Sequence, residues 1–347
     1  MEAVLYAELT ARRAELAGID LRLIDSLDRL TGHLRSGGKR LRPQFLCWGY
    51  RAAVPGPDPL PGGVLQAAAA LELIQACALI HDDIIDRSDT RRGQPSVHRA
   101  AEKEHAGAGW LDDSAHFGVS DALLLGDLAL VWADDLFHEG FAQQGRPDAA
   151  QAAWRAMRTE VLAGQLLDLR ITADEAPDPT AAAADAMLVN RYKTAAYTVE
   201  RPLHIGAALG GASAATIDAL RSYGRSIGLA FQLRDDLLGV FGDPQVTGKP
   251  AGDDLIEGKK TVLLALARTD LLGSPELAVL DRGLGTNLNP AGVEELTALI
   301  AGTSAPTRVE ERITALLEEG LAVLEQLPAE AADGLRALAL AATARRH

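Results

Sequence analysis

Two clusters of aspartate set the chemistry to consider. His81, Asp82, Asp83, Ile84, Ile85 and Asp86 close a long apolar run, and Asp82 and Asp86 stand four positions apart. On a helix that spacing puts both carboxylates on one face, about one turn from each other. Bare carboxylates repel, and the partial negative charge at a helix C-terminus adds to the repulsion. A hard divalent cation with oxygen ligands compensates, and Mg²⁺ shared between carboxylate and phosphate is the usual arrangement. The competing reading is a solvated acidic helix end. A second cluster repeats the theme: Gln232, Asp235 and Asp236 fall at i, i+3 and i+4. Gly239 stands where a third carboxylate would match the first cluster, and Asp243 lies one turn further on. Two such clusters can complete a multi-metal site around one diphosphate.

Positive charge is concentrated in a few places. Gly37, Gly38, Lys39, Arg40, Leu41, Arg42 and Pro43 put three cations beside a glycine pair. Glycine lets backbone approach an anion closely. Arg91 and Arg92 precede Gly93, in a position to clamp phosphate in bidentate fashion or to pair locally with Asp89 or Asp86. Lys249, Lys259 and Lys260 supply more, and Asp253 and Asp254 lie between them, placed to orient those lysines. Asp112, Asp113, Asp134 and Asp135 have no basic or glycine-rich neighbours and read as surface residues.

Helices must position these groups. The chain has 347 residues, 48% of them hydrophobic and only 4% aromatic. Abundant Ala and Leu favour helix over strand. Helical periodicity runs through residues 21–34, 64–87, 120–137, 149–170, 181–209, 215–241 and 260–271, then 291–301, 308–326 and 329–346. No stretch shows sustained strand alternation. Breakers separate the helices at 54–63, 145–147, 176–179 and 242–244. Length alone is compatible with two domains. The chemical motifs span residues 37–261 and must converge, so the expectation is one all-α domain over 1–347. The apolar run 64–80 is interrupted by Glu72 and reads as a buried core helix, with no transmembrane segment expected.

The net charge of −14 makes general nucleic-acid binding a poor reading. Cys47 and Cys77 lie in apolar helical stretches without metal-type spacing, as expected of buried free thiols in a reducing cytosol. Glu2, Glu8, Arg12 and Arg13 interrupt the N-terminus, so a cytoplasmic location is expected.

Taken in order, the motifs resemble the trans-isoprenyl diphosphate synthase (polyprenyl synthetase) family. The matching pieces are GGKRLRP at 37–43, DDIID at 82–86, RRGQPSVH at 91–98, GQLLDL at 164–169, Lys193-Thr194, FQLRDD at 231–236 and GKPAGDDLIEGKKT at 248–261, together spanning about two thirds of the chain. The resemblance implies an all-α isoprenoid-synthase-type bundle around a deep central cavity, usually as a homodimer. It implies Mg²⁺, three ions per loaded site, with Asp82, Asp86 and Asp235 as ligands on the allylic diphosphate and Asp83 and Asp236 in support. Lys39, Arg42 and Arg92 would hold isopentenyl diphosphate. Arg91, Lys193, Lys249 and Lys259 would meet the allylic diphosphate. Thr194 and Gln232 would face the developing allylic cation, with Asp168 and Gln165 behind them. Gln75 occupies a slot that is often histidine, where its amide can donate to phosphate. Gly239 departs from the common third aspartate, which is expected to loosen one metal site. The first motif lacks the two-residue insertion of many bacterial short-chain members.

The reaction so implied breaks a carbon–oxygen bond without a strong nucleophile. Cations stabilise the departing diphosphate, and the allylic cation needs shelter from water. The double bond of isopentenyl diphosphate attacks, and the released diphosphate is the plausible base for the proton then lost. From Asp82 back toward the helix N-terminus, one face presents Ala78, Gln75, Ile74 and Leu71. Neither Cys77 nor Ala78 is bulky, and in the family aromatics at these positions accompany short products. The expected product is geranylgeranyl diphosphate (C20), with farnesyl diphosphate as the alternative and Trp132 or Phe137 as a candidate floor. A terpene cyclase would not need the Lys39/Arg42 and Arg91/Arg92 sets. A non-catalytic partner subunit would have lost more metal ligands than the one at Gly239.

Overall fold

The computed structural model describes residues 1–56, 59–142, 147–173, 179–242 and 252–343. They are almost entirely helical and fall into two compact units, Met1–Gln151 with Ile205–Gly211, and Ala152–His204 with Ala212–His347.

The first unit is built on helix Gly62–Ile85. Its sequence is apolar nearly all round, and Ala67, Ala68, Ala69, Ala70, Leu71, Leu73 and Ile80 have no exposed surface. This is the buried core helix expected. By length and composition it could cross a membrane, as could Ser114–Ala142, and most of it is buried inside the protein. Ser114–Ala142 packs along it at two glycines. Gly126 faces the ring of His81, and Gly140 faces the carbonyl of Gly63. Helices Glu2–Ile19, Ile24–Arg35, Leu41–Ala53 and Val97–Ala108 complete the unit. The first, third and fourth of these carry mixed apolar and charged residues, and their periodicity was too weak to read from sequence.

The second unit is built on helix Ala214–Phe241. Ser213 starts it, its hydroxyl accepting from the Thr216 N–H at 3.1 Å. Around it lie most of Pro147–Ala173, then Pro179–Val189, Val262–Asp270, Pro290–Ala301, Ala305–Val323 and Ala329–Thr343. Leu233, Leu237, Val240, Leu263, Leu264, Ile300, Val309 and Leu316 are among the core residues it shares with them. The stretch expected as one helix over 181–209 is three segments: Pro179–Val189, a π-helical Asn190–Glu200, and Arg201–Gly210. Hydrophobic periodicity marks helix but does not distinguish its winding. The only strands among the described residues are Thr90–Arg91 and Gln94–Pro95, a four-residue hairpin too short to show alternation.

Candidate active site

In the first unit, helix Gly62–Ile85 ends on the first acidic cluster, with the Asp86 N–H closing on the Asp82 carbonyl at 2.8 Å. The chain then makes the hairpin, whose turn residues Arg92 and Gly93 have φ of 54° and 72°. Positive φ at both central positions is the type I′ turn, whose twist suits a tight hairpin. Arg91 is brought back to the helix end by the reversal just before the hairpin, where Arg87 has a φ of 56° and the Ser88 N–H bonds the Asp83 carbonyl at 2.9 Å. Arg91 Nε donates to Asp83 Oδ1 at 2.9 Å, Nη2 donates to the same oxygen, and Nη2 lies 3.6 Å from Asp82 Oδ2. The local partner of Arg91 is therefore Asp83, not Asp89 or Asp86; Asp89 takes Arg99 instead, at 2.7 Å. Asp83 has no exposed surface and serves Arg91, whereas Asp82 and Asp86 are only partly buried.

The glycine–cation segment lies beside this hairpin. Arg92 Nη1 donates to the Gly37 carbonyl and lies 3.2 Å from Ser36 Oγ. A small cavity is lined by His33, Arg40, Glu72, Gln75, Leu79 and Arg92. Gln75 and Arg92 thus line the same cavity. Lys39 is exposed and Arg42 is 9% exposed. His33 and Glu72 were not anticipated. Burial, with the charges of Arg92, Arg91 and Arg40, pushes the His33 pKa down to about 4, so the ring is neutral at pH 7. Glu72 is 1% exposed and binds Arg40. A lone glutamate inside the apolar run 64–80 was the available signal, because a buried carboxylate needs a cation.

In the second unit, Asp235 is partly exposed and Asp236 is 3% exposed. Asp236 accepts from Gln232 Nε2 at 2.7 Å and from Asn190 Nδ2 at 3.1 Å. Burial, helped by the charges of Asp254 and Asp235 and opposed by the two amides, pushes the Asp236 pKa up to about 7. A raised folded-state pKa means that the stability from this group is full below the unfolded carboxylate pKa and is lost as pH rises to about 7. Metal-free protein should therefore lose stability between about pH 4 and pH 7 from this group. Asp236→Asn is expected to flatten that slope and raise the metal-free melting temperature at pH 8. Equal melting temperatures for variant and parent across this range would contradict the assignment.

Arg234, between the acidic residues and the core, turns away from them. Its Nη2 lies 2.6 Å from Glu310 Oε2 and its Nε donates to the Thr343 carbonyl at 2.9 Å. The C-terminal helices, which carry no readable chemistry of their own, thereby anchor the second acidic helix. Lys259 Nζ lies 2.6 Å from Glu257 and 3.9 Å from Asp254 Oδ1, and Lys260 donates to the Ile171 carbonyl at 2.7 Å. The near partner of Lys259 is therefore Glu257, with Asp254 at longer range. Lys249 and Asp243 lie outside the described residues.

Gly239 has a different meaning from the one its sequence position implies. A Cβ there would lie 3.1 Å from Asp254 Oδ1 and closer still to Oδ2. The carboxylate of Asp254, 7% exposed, already fills the space of the missing side chain. The linear motif shows Asp254 only as a neighbour of lysines, and nothing in it shows that Asp254 packs on residue 239.

Lys193 and Thr194 sit in the π-helical stretch Asn190–Glu200, a winding that is rare and concentrated at functional sites. Lys193 Nζ lies 2.6 Å from Asp168 Oδ2, which joins two of the motif segments. Gly164, from the same segment as Asp168, permits that approach: a Cβ there would lie 2.6 Å from the Lys193 Cα.

Among the described residues, no three His, Cys, Asp or Glu side chains form a ready metal cage. Mg²⁺ keeps several waters and binds through one or two carboxylates plus substrate phosphate. Asp82 and Asp86, partly open on one helix face, are a donor set of that kind.

A profile of the polyprenyl synthetase family matches residues 25–297. The chain is 31% identical to a geranylfarnesyl diphosphate synthase of Aeropyrum pernix over 320 residues, covering 90% of this chain and 92% of that one. It is 34% identical to a short chain isoprenyl diphosphate synthase of Methanothermobacter thermautotrophicus, over 76% of this chain and 73% of that one. Among solved structures, a geranylgeranyl pyrophosphate synthase from Corynebacterium glutamicum, complexed with isoprenyl diphosphate and magnesium, superposes with a TM-score of 0.92 at 48% identity, covering 99% of this chain and 97% of that one.

Proposed function

The chain belongs to the polyprenyl synthetase family, and from that premise we propose that it joins isopentenyl diphosphate to allylic diphosphates and releases geranylgeranyl diphosphate. It is a trans-prenyltransferase of the short-chain kind. The C20 product is the proposal, with the C15 farnesyl diphosphate as the second reading. The observation that carries the site is the pairing of Arg91 with Asp83 at the end of helix Gly62–Ile85, which leaves Asp82 and Asp86 partly exposed for a cation.

In this reading Asp82, Asp86 and Asp235 hold Mg²⁺, three ions with substrate bound, and Asp83 and Asp236 support them. Bound there, the metal supplies positive charge to the departing diphosphate. Lys39, Arg42, Gln75 and Arg92 bind isopentenyl diphosphate. Arg91, Lys193, Lys249 and Lys259 bind the allylic diphosphate. Thr194 and Gln232 face the allylic carbon as its charge develops. Gln232 is oriented for this by its bond to Asp236, and Lys193 by its bond to Asp168. The leaving diphosphate accepts the final proton.

A homodimer is part of the proposal. Leu123, Leu124 and Val131 of helix Ser114–Ala142 are exposed, and a second copy is the occupant that the family's habit supports. A cytoplasmic location agrees with free thiols at Cys47 and Cys77.

Incubation of the purified chain with Mg²⁺, isopentenyl diphosphate and either geranyl or farnesyl diphosphate, then chromatography of the dephosphorylated products, tests the reading. A C20 alcohol is expected; hydrocarbon release would instead mark a cyclase. Product length has its own test. Ala78 is half-buried one turn before Asp82, and Cys77 is 3% exposed, its sulfur 3.7 Å from His81 Nδ1. Trp132 lies under the Arg12 guanidinium and Phe137 stacks on Phe141. Ala78→Phe is expected to shift the main product to C15. An unchanged product would remove residue 78 from the wall of the product channel.

A further inference from the structure

Glu200 has no exposed side-chain surface, yet three arginines converge on it. Arg191 Nη1 donates to one carboxylate oxygen. Arg221 Nε, at 3.0 Å, and Arg225 Nη1, at 3.3 Å, donate to the other. Arg201 is next in sequence but turns to Glu160, with Nε 2.8 Å from Oε2. Burial opposes ionisation of Glu200, and the Arg191 hydrogen bond and the surrounding positive charge outweigh it, holding the carboxyl below its ordinary range. None of these groups has a place in the chemistry above.

The spacing of the first pair is informative. Arg191 and Glu200 are nine residues apart, at the two ends of the π-helical stretch Asn190–Glu200. At about 3.6 residues per turn, residues nine apart point to opposite sides of a helix. Winding with i→i+5 bonds, roughly 4.4 residues per turn, returns them to the same side after two turns. The ion pair therefore suits the π winding and not the α winding. The neighbouring helix Ala214–Phe241 is cut to receive this backbone: a Cβ at Gly224 would lie 2.5 Å from the Glu200 Cα, and one at Gly228 would lie 2.7 Å from the Ala195 Cβ. Arg221 and Arg225 of that same helix bind Glu200 from outside. Lys193 and Thr194 lie between the two ends of the clamp.

We propose that Glu200 is a positioning residue: by binding Arg191 across two turns and Arg221 and Arg225 on the adjacent helix, it holds residues 190–200 in π winding and so sets the directions of Lys193 and Thr194. Relaxation to α winding would rotate successive side chains by on the order of 20° per residue, enough to carry Lys193 away from Asp168 and from a bound diphosphate. The functional half of this inference rests on the role assigned above to Lys193; the clamp itself does not.

The test uses Arg191→Met, in which Arg221 and Arg225 still neutralise Glu200, together with Glu200→Gln and the conservative Arg191→Lys. Amide hydrogen exchange reads the clamp directly. Arg191→Met and Glu200→Gln are expected to exchange about tenfold faster across residues 190–200, with helix Gly62–Ile85 unchanged. In steady-state kinetics both should raise the KM for the allylic diphosphate roughly ten- to a hundredfold, with the KM for isopentenyl diphosphate within about twofold. Arg191→Lys should recover most of the loss. A cooperatively folded Arg191→Met protein with parental exchange across 190–200 overturns the proposal. Lys193→Ala separates the two layers. If exchange rises in Arg191→Met but Lys193→Ala leaves the allylic KM unchanged, the clamp stands and the role given to Lys193 falls.

Discussion

Asp82→Ala is expected to lower Mg²⁺-dependent elongation by about three orders of magnitude, equivalent to about 4 kcal/mol of lost transition-state stabilisation. The reason is local. Asp83 is buried and engaged by Arg91, so it cannot swing out to replace the missing carboxylate, and Arg91 lies 3.6 Å from Asp82 with its hydrogen bonds already made to Asp83. Removing Asp82 thus leaves Asp86 as the one partly exposed carboxylate of that helix face. Folding should be spared, because Asp82 is partly exposed and its loss relieves charge at a helix C-terminus. Asp235→Ala should act in the same direction. Single-turnover elongation by folded Asp82→Ala at rates within tenfold of the parent would defeat the assignment of the first cluster to the metal.

The second large effect concerns Gly239. On motif logic alone, Gly239→Asp restores a family ligand and should strengthen the site. The packing predicts the reverse. The new Cβ meets the carboxylate of Asp254, and a new anion joins Asp235, Asp236 and Asp254. Overpacking of this kind costs about 3 kcal/mol, and like-charge repulsion adds to it. Asp254 Oδ1 also lies 3.9 Å from Lys259 Nζ, so its displacement should change the charge beside that lysine. We expect Gly239→Asp to melt lower and to bind Mg²⁺ with inorganic pyrophosphate more weakly by calorimetry. Gly239→Asp/Asp254→Gly should recover much of both losses, since one carboxylate again occupies the shared space. If Gly239→Asp alone binds Mg²⁺ and pyrophosphate more tightly than the parent, position 239 is an open ligand slot and the packing account is wrong.

Much of this is legible in the sequence alone. The carboxylate spacings in 82–86 and 232–236, the cations at 37–43 and 91–92, and the helical periodicity of the long segments are local properties, and local spacing determines which residues share a helix face. They sufficed for an all-α fold and a diphosphate chemistry, and the family match bears out both. Helices such as Glu2–Ile19 and Val97–Ala108 lack a clean apolar stripe and owe their place to packing.

The partnerships belong to the tertiary structure. Which of several nearby aspartates Arg91 pairs with depends on the chain reversal at Arg87, at positive φ, and not on sequence distance. Whether Gly239 was a lost ligand or a filled slot depended on Asp254, fifteen residues away. Whether 190–200 wound as α or π helix depended on a buried glutamate held by three arginines, two of them on another helix. A sequence specifies what a residue can do and which near neighbours share its face. The choice among equally good partners is made through space, where burial raises the cost of an unpaired charge until only one arrangement satisfies every group.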